Sequence, residues 1–250
     1  MTESNAAVVV AAGKSSRMGG GANKVLRTLL GERILAYSLR AFERHPRIHR
    51  IVVAGRPEDR DAIEAIMADC GPKSAGGFAD GGAERFHSVG NGLAALAQEA
   101  RAFDAVLIHD AARPFLEARF IDDCLAALTQ SAGAIIGVPC KDTLKQVDAR
   151  QHITRTPDRS QFWLAQTPQA FRFEAIMRAY RAVQAPPWPT DDAAALEALG
   201  EPVQMVMGSY RNLKVTTPED MALAEALLAP PPGSSAASSD TASDAPSDTP

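Results

Sequence analysis

The sequence contains little cysteine, and its few cysteines are widely spaced. Cys70, Cys124 and Cys140 form no CxxC pair, which argues against a zinc site or a disulfide framework. Long apolar runs are also missing, because the run near the N-terminus is too short to span a bilayer. No basic segment with a cleavage site precedes that run in "MTESNAA". We therefore expect a cytoplasmic protein with reduced thiols and no membrane association.

A large excess of charge is missing as well. The formal net charge is −4, and the segment 230–250 carries three aspartates and neither lysine nor arginine. The remaining chain is close to neutral, which argues against bulk electrostatic binding to nucleic acid. The same segment has almost no apolar side chain beyond alanine and cannot bury enough surface to fold. We expect one domain of residues 1–229 followed by a disordered low-complexity tail at 230–250.

The chain is rich in short β-branched runs that alternate with segments of helical spacing. The runs are "AAVVVAA" (6–12), "RIVVAG" (50–55), "AVLIHD" (105–110) and "AIIGVP" (134–139). This alternation predicts βαβ units on a parallel sheet. The expected fold class is therefore α/β, with a doubly wound, mostly parallel, Rossmann-like sheet. Ligands of such sheets bind beyond the carboxyl ends of the strands.

The segment 139–169 departs from this alternation. Its stretches "TLKQV" and "HITRT" are short, polar and alternating, which predicts a two-stranded projection, a β-arm. Without a partner such a unit is a solvated surface hairpin. Near the end of the chain, Thr217 followed by Pro218 predicts the start of a closing helix.

The glycine-rich loop 11–24, "AAGKSSRMGGGANK", follows the first predicted strand. Gly13 lets the backbone turn its N–H groups towards an anion. The loop matches neither the Walker A pattern nor GxGxxG, because its glycines are wrongly spaced. Its cations Lys14, Arg17 and Lys24 could wrap a triphosphate, although a flexible loop with solvated charges is the alternative.

The segment "AAGKSSRMG" resembles the AAGxGxRMG signature of the cytidylyltransferases. Six further blocks, in the same order, are similar to the methylerythritol phosphate cytidylyltransferase family: "GGAERFHSVGNGL", "LIHDAARPF", "DTLKQ", "DRSQFWLAQTPQAF", "TDDAAALE" and "NLKVTTPEDMALAEALL". The resemblance covers roughly residues 6–228. Three positions depart from the pattern. Ser15 replaces a glycine, Asn23 stands where proline often precedes the lysine, and Ala83 stands where an acid is common.

The resemblance implies a nucleotidyltransferase that moves CMP from CTP to 2-C-methyl-D-erythritol 4-phosphate. The products would be 4-diphosphocytidyl-2-C-methyl-D-erythritol, an isoprenoid precursor, and pyrophosphate. A phosphate monoester is largely dianionic at neutral pH, so this nucleophile needs no general base. Catalysis then consists of positioning and positive charge. The resemblance further implies Mg²⁺ or another divalent cation, and a homodimer clasped by the projection.

The resemblance also assigns residues to these tasks. Catalysis would fall to Arg17, Lys24, Arg159 and Lys214. Nucleotide binding would fall to Ala11, Ala12, Gly13, Gly82, Ser88 and Asp110, with Asp110 also near the metal. Binding of the acceptor would fall to Asp110, Arg113, Thr143, Arg159, Thr167, Thr190 and Lys214.

Two alternatives stay open from the residues alone. A ribitol 5-phosphate cytidylyltransferase shares most of the quoted blocks and differs in its acceptor. A non-catalytic nucleotide-binding protein or a Rossmann reductase belongs to another class. The failed GxGxxG pattern and the matched cations disfavour the reductase. His109 beside Asp110 could indicate a metal phosphohydrolase, but the other histidines lack suitable spacing.

Overall fold

The computed structural model describes residues 3–13 and 23–229. Arg17 lies outside the described residues, and so does the segment 230–250 that we expect to be a disordered tail. The strands are β1 (Asn5–Val10), β2 (Thr28–Leu29), β3 (Glu32–Arg33), β4 (Ile48–Gly55), β5 (Phe78–Asp80), β6 (Ala105–Asp110), β7 (Gly133–Pro139), β8 (Gln146–Val147), β9 (Ile153–Arg155), β10 (Trp163–Arg172) and β11 (Val203–Met207). The helices are α1 (Ile34–Arg44), α2 (Arg60–Cys70), α3 (Arg85–Ala97), α4 (Ala118–Ala127), α5 (Phe173–Ala182), α6 (Asp192–Glu197) and α7 (Pro218–Leu228).

A seven-stranded sheet forms the centre of the fold, in the order β11-β7-β10-β6-β1-β4-β5. All neighbouring strands in it run parallel except β10, which is antiparallel to both β6 and β7. The predicted α/β class with a mostly parallel, doubly wound sheet is therefore confirmed. The carboxyl ends of β1 and β6 lie side by side, with Val10 in register with Asp110.

Both faces of the sheet are covered by helices, which explains why its strands read as continuous apolar runs. In β1, Ala7 and Val9 pack in the layer that contains α1, α2 and α4. Ala6 and Val8 pack in the opposite layer, with α3, α5 and α6. Successive side chains of a strand point to opposite faces, so one run of valines serves both layers.

Strand β10 corrects the expected extent of the projection. Trp163 pairs with Pro139, and Gln169 pairs with both Ile135 and Ile108, inside the central sheet. The last part of the segment 139–169 therefore belongs to the sheet. The sequence did not indicate this, because β10 carries the buried polar residues Gln166, Thr167 and Gln169, which are atypical of a central strand.

The rest of the projection is a separate two-stranded sheet of β8 and β9. Its strand residues are exposed, as the short polar alternation predicts. The closing helix α7 starts at Pro218, and Thr217 caps it through a reciprocal pair of hydrogen bonds with Asp220. Within residues 3–13 and 23–229, no helix has the length and apolar content needed to cross a membrane.

Candidate functional site

A cavity of about 350 Å³ opens at the carboxyl ends of β1, β5 and β6. Its lining gathers many of the residues that the sequence predicts for the site: Ala11, Ala12, Gly13, Lys24, Gly82, Ser88, Asp110 and Lys214. The chain supplies them from the loop after β1, the turn after β5, the end of β6 and the segment after β11. This is the edge at which ligands of doubly wound sheets bind.

Lys24 begins a short 3-10 helix, Lys24–Leu26, at the point where the glycine-rich loop returns to the fold. Asn23 caps this helix, because its side chain accepts a hydrogen bond from the Val25 N–H. Lys24 and Ala11 both line the cavity. The return of the loop therefore places a lysine beside the end of β1.

Gly82 and Ser88 form the side of the cavity that follows β5. The Gly82 N–H donates to Ser88 Oγ at 3.0 Å, and the Ser88 hydroxyl donates to the Glu84 carbonyl at 3.2 Å. A Cβ atom at Gly82 would lie 2.3 Å from the His87 Cβ, so the turn closes this tightly only with glycine. The turn thus brings backbone groups and one hydroxyl to the cavity lining in a fixed arrangement.

Asp110 is a buried carboxylate in the cavity lining, and two cationic side chains form ion pairs with it. Lys214 Nζ donates to Asp110 Oδ2 at 2.6 Å, and Arg85 Nε donates to Oδ1 at 3.0 Å. Burial alone would raise the pKa of Asp110, but Arg85 and Lys214 hold that pKa well below its usual range. Asp110 is therefore ionised at neutral pH and fixes the position of the Lys214 ammonium group.

Arg85 is the main residue that the sequence assignment missed. Its guanidinium donates to both carboxylate oxygens of Asp192, at 2.9 and 2.7 Å, and the Tyr180 hydroxyl also donates to Asp192 at 2.5 Å. Burial would lower the pKa of Arg85, but Asp192 and Asp110 raise it further above its normal value. Its position in the quoted block "GGAERFHSVGNGL", three residues after Gly82, was a usable signal, because that block is predicted to contact the nucleotide.

Thr167 belongs to a buried chain of hydrogen bonds behind Asp110. Burial lowers the pKa of His109 to about 4, so its ring is neutral. Its Nε2 lies 3.1 Å from the Arg113 carbonyl, an acceptor, which assigns the ring proton to Nε2. The Thr167 hydroxyl then donates to Nδ1 at 3.0 Å and accepts from the Asp110 N–H at 3.0 Å.

These bonds bear on the predicted role of Thr167. Its hydroxyl is buried and bonded to His109 and Asp110, and Thr167 is not among the residues that line the cavity. Thr167 thus holds Asp110 in place, and its contact with an acceptor stays a prediction. His109 serves the same structure, which accounts for a histidine beside the carboxylate without a metal.

Arg113 lies beneath the cavity wall. Its Nη1 donates to the Asn212 carbonyl at 2.7 Å, and burial lowers its pKa even though Asp110 acts in the opposite sense. The side chain contributes positive charge close to Asp110, but it does not line the cavity. Its contact with an acceptor stays a prediction.

The remaining predicted acceptor residues are not brought into the cavity. Thr143 and Arg159 are exposed on the projection, where Arg159 Nη1 donates to the Lys141 carbonyl at 2.5 Å. Thr190 is exposed at the end of a loop that an aromatic stack holds against α3: Phe86 stacks on Tyr180 at 4.3 Å and on Trp188 at 5.4 Å between ring centroids. All three lie outside the lining of the chain's own cavity.

Comparisons with known proteins agree with this geometry. The family model described as "IspD: 2-C-methyl-D-erythritol 4-phosphate cytidylyltransferase" matches residues 5–230. An enzyme of that name from Geobacillus kaustophilus is 44% identical over 224 residues, which cover 89% of this chain and 96% of the relative. One from Synechococcus elongatus is 44% identical over 222 residues, covering 88% and 94%.

Solved structures show the same similarity. The structure of 4-diphosphocytidyl-2C-methyl-D-erythritol synthase from Anaerococcus prevotii superposes with a TM-score of 0.79 at 28% identity, covering 91% of this chain and 99% of that chain. The 2-C-methyl-D-erythritol 4-phosphate cytidylyltransferase from Francisella tularensis gives a TM-score of 0.72 at 28% identity, covering 90% and 100%. The similarity therefore extends over the whole described fold.

Proposed function

Because the chain belongs to the 2-C-methyl-D-erythritol 4-phosphate cytidylyltransferase family, we infer that it transfers CMP from CTP to 2-C-methyl-D-erythritol 4-phosphate. The products are 4-diphosphocytidyl-2-C-methyl-D-erythritol and pyrophosphate, and the reaction belongs to isoprenoid precursor synthesis. The observation that carries this assignment at the level of residues is the cavity, where Lys24, Arg85 and Lys214 surround the strand ends.

The chemistry needs positive charge more than it needs proton transfer. A phosphate monoester oxygen attacks the α-phosphorus of CTP, and the bond from that phosphorus to the bridging oxygen of pyrophosphate breaks. The nucleophile is already largely dianionic, since its second pKa is about 6. The barrier therefore comes from repulsion between two polyanions and from charge that develops on the transferred group.

The cavity residues supply positive charge for this chemistry. Lys24 lies at the return of the glycine-rich loop, where it would hold the triphosphate and stabilise the charge on the leaving pyrophosphate. Lys214 is fixed by Asp110 at 2.6 Å, so its charge is already oriented before the substrates bind. Preorganised charges of this kind stabilise a transition state without paying for reorientation during the reaction.

We propose that Mg²⁺ or another divalent cation accompanies the nucleotide. Among the described residues, no three His, Cys, Asp or Glu side chains lie close enough together to hold a metal ion. Mg²⁺ usually keeps several waters and takes only one or two carboxylates beside substrate phosphates. The oxygens of Asp110 retain lone pairs beyond those used by Arg85 and Lys214. The residues thus fit an ion carried by the phosphates and touched by Asp110, where it would neutralise phosphoryl charge.

The acceptor can be tested directly. With CTP, we expect kcat/KM for pyrophosphate release to be at least about tenfold higher with 2-C-methyl-D-erythritol 4-phosphate than with ribitol 5-phosphate, because a polar pocket penalises a mismatched polyol. A reaction without acceptor corrects for hydrolysis of CTP. Equal or faster release with ribitol 5-phosphate would move the chain to the alternative acceptor.

We also propose that the protein acts as a homodimer whose projection completes the partner's site. The projection exposes apolar side chains, with Ile153 62% and Val147 51% exposed, and an isolated two-stranded unit is only marginally stable in water. Arg159 and Thr143 do not reach the cavity of their own chain. A second copy would cover the apolar side chains and receive Arg159 near its acceptor.

A mixed dimer tests this proposal. Chains with Lys24→Ala and chains with Arg159→Ala are co-expressed with different tags, and the heterodimer is purified. If Arg159 acts across the interface, one site carries both changes and the other carries none. Activity then returns to about half that of the unmodified dimer. A heterodimer that both tags show to be intact but that stays inactive would contradict the shared site.

A matched pair serves as the control. Lys24 and Lys214 line the cavity of the same chain, so a heterodimer of Lys24→Ala and Lys214→Ala chains has one lesion in each site. This heterodimer should stay as inactive as the Lys24→Ala and Lys214→Ala homodimers. Recovery in this control would show that Lys24 and Lys214 of one chain serve different sites, or that unmodified enzyme contaminates the assay.

We further propose that the enzyme works in the cytoplasm. Cys70, Cys124 and Cys140 are free thiols in the structure, which suits a reducing compartment. Burial raises the pKa of Cys124 to about 12, so this thiol is unreactive.

A further inference from the structure

Asn23 is completely buried at the place where the glycine-rich loop returns to the fold. Its side-chain amide donates to the Ala11 carbonyl at 2.7 Å and to Asp59 Oδ2 at 2.9 Å. Its side-chain oxygen accepts from the Val25 N–H at 3.4 Å. One side chain thus joins the end of β1, the helix that starts at Lys24 and the segment that leads into α2.

Asp59 is itself held from the other side. Arg56 donates to both of its oxygens, from Nε at 2.6 Å and from Nη2 at 3.0 Å. Burial would raise the pKa of Asp59, but the hydrogen bonds from Arg56 and Asn23 lower it below its usual value. The hydrogen bond between Asn23 and Asp59 is therefore charge-assisted, and such bonds are stronger and more directional than neutral ones.

The hydrogen bonds of Asn23 fix the distance between the end of β1 and the backbone of Lys24, the residue that is proposed to hold the triphosphate. Gly13 and Asn23 are the described residues on either side of the segment 14–22, and the Asn23 amide donates to the Ala11 carbonyl at 2.7 Å. Ala11 and Lys24 both line the cavity, and Lys24 is the next residue along the chain. Any shift of Asn23 therefore shifts the backbone of Lys24 relative to the end of β1.

We propose that Asn23, anchored by Asp59 and Arg56, is a positioning residue for Lys24. Its hydrogen bonds fix the backbone position from which Lys24 reaches the triphosphate. The family signature often has a proline at this position. The inference rests on the proposed role of Lys24 in cytidylyl transfer. It adds a residue whose own polar groups are bonded to protein and which acts through its neighbour.

A double-mutant cycle between Asn23 and Lys24 tests the inference. Asn23→Ala should lower kcat by about tenfold to a hundredfold, since small misplacements of a catalytic group have effects of this size. In the Lys24→Ala background, the same change should have no further effect beyond about twofold, because the group that it positions is already gone. Steady-state kcat and KM for CTP are measured for all four proteins.

Two further variants keep the test independent of folding. Asp59→Asn removes the charge but keeps the size, and it should reproduce part of the loss in kcat only when Lys24 is present. Asn5→Ala is the matched control, because Asn5 is also buried and its amide also donates to a backbone carbonyl, that of Arg47 at 3.2 Å, at the end of β1 away from the cavity. This control should retain parental activity.

The outcomes separate the two proposals. Equal losses from Asn23→Ala with and without Lys24 would overturn the positioning role of Asn23 and leave the role of Lys24 intact. A Lys24→Ala variant with unchanged kcat would overturn the role of Lys24 and the inference with it. If Asn23→Ala is unstable in thermal melts, the Asp59→Asn cycle gives the same decision.

Discussion

CTP is expected to react with a kcat/KM at least about a thousandfold higher than that of ATP or GTP, because a site that hydrogen-bonds to one base leaves polar groups unpaired with another. A Cβ atom at Gly82 would clash with His87, and the Gly82 N–H donates to Ser88 Oγ, so the polar groups on this side of the cavity are held in a fixed arrangement. The edge of a purine presents a different order of donors and acceptors from that of cytosine. Pyrophosphate release with each nucleotide at a fixed acceptor concentration measures the preference.

Discrimination against UTP is expected to be weaker. The side chain of Ala83 offers no acceptor for the exocyclic amino group of cytosine, so recognition of the base at this position would lack a carboxylate. Ala83→Asp should therefore increase the ratio of CTP to UTP use, while the ratio of CTP to ATP should change little. Comparable kcat/KM values for CTP and ATP in the unmodified protein would contradict the assignment of Gly82 and Ser88 to base recognition.

Lys24→Ala is expected to lower kcat about a hundredfold or more, the scale seen when one preorganised charge donor is lost. The effect should fall on kcat and on kcat/KM together, because the lysine is proposed to interact more strongly with the transition state than with bound CTP. Steady-state kinetics with CTP varied at saturating acceptor measure both parameters. Lys24→Arg retains the charge with a different shape and should recover only part of the loss.

Arg101→Ala is the matched control for charge. Arg101 is exposed in the connection that leads into β6, at the edge of the sheet opposite the cavity, so its charge is screened from the site. Its replacement should leave kcat unchanged. If Lys24→Ala raises KM for CTP and leaves kcat at the parental value, Lys24 is a ground-state binding residue and the proposed role is wrong.

The position of the site could be predicted from the sequence because it depends on local features. The run that forms β1 ends before Gly13, the run that forms β6 ends at Asp110, and parallel strands bring such ends to one edge. The start of α7 followed in the same way from Thr217 and Pro218. Each of these features needs only a short stretch of chain to be recognised.

The partners of Asp110 and the position of β10 depend on contacts that no short stretch contains. Arg85 and Asp192 are 107 positions apart, and they pair because the fold brings the first residue of α3 to the first residue of α6. The polar residues of β10 are buried because the protein itself satisfies them. Gln169 Oε1 accepts from the N–H groups of Asp192 and Ala193, and Gln166 Nε2 donates to the Ser209 carbonyl. A pattern of apolar residues cannot reveal a strand whose burial is compensated in this way.

The hydrogen bonds of Asp110 with Arg85 and Lys214 affect how the chain folds during its synthesis. Asp110 accepts hydrogen bonds from Arg85 and from Lys214, and Lys214 lies 104 positions later in the chain. Strand β10 can pair fully with β6 only after Arg172 has been synthesised. Contacts between such distant parts of a chain form late, because a large loop must close first. A nascent chain that has completed β1, β4 and β6 therefore carries Asp110 and Lys24 but no finished site. Catalytic competence appears only when nearly the entire fold is in place, so recovered activity after refolding reports on the whole molecule.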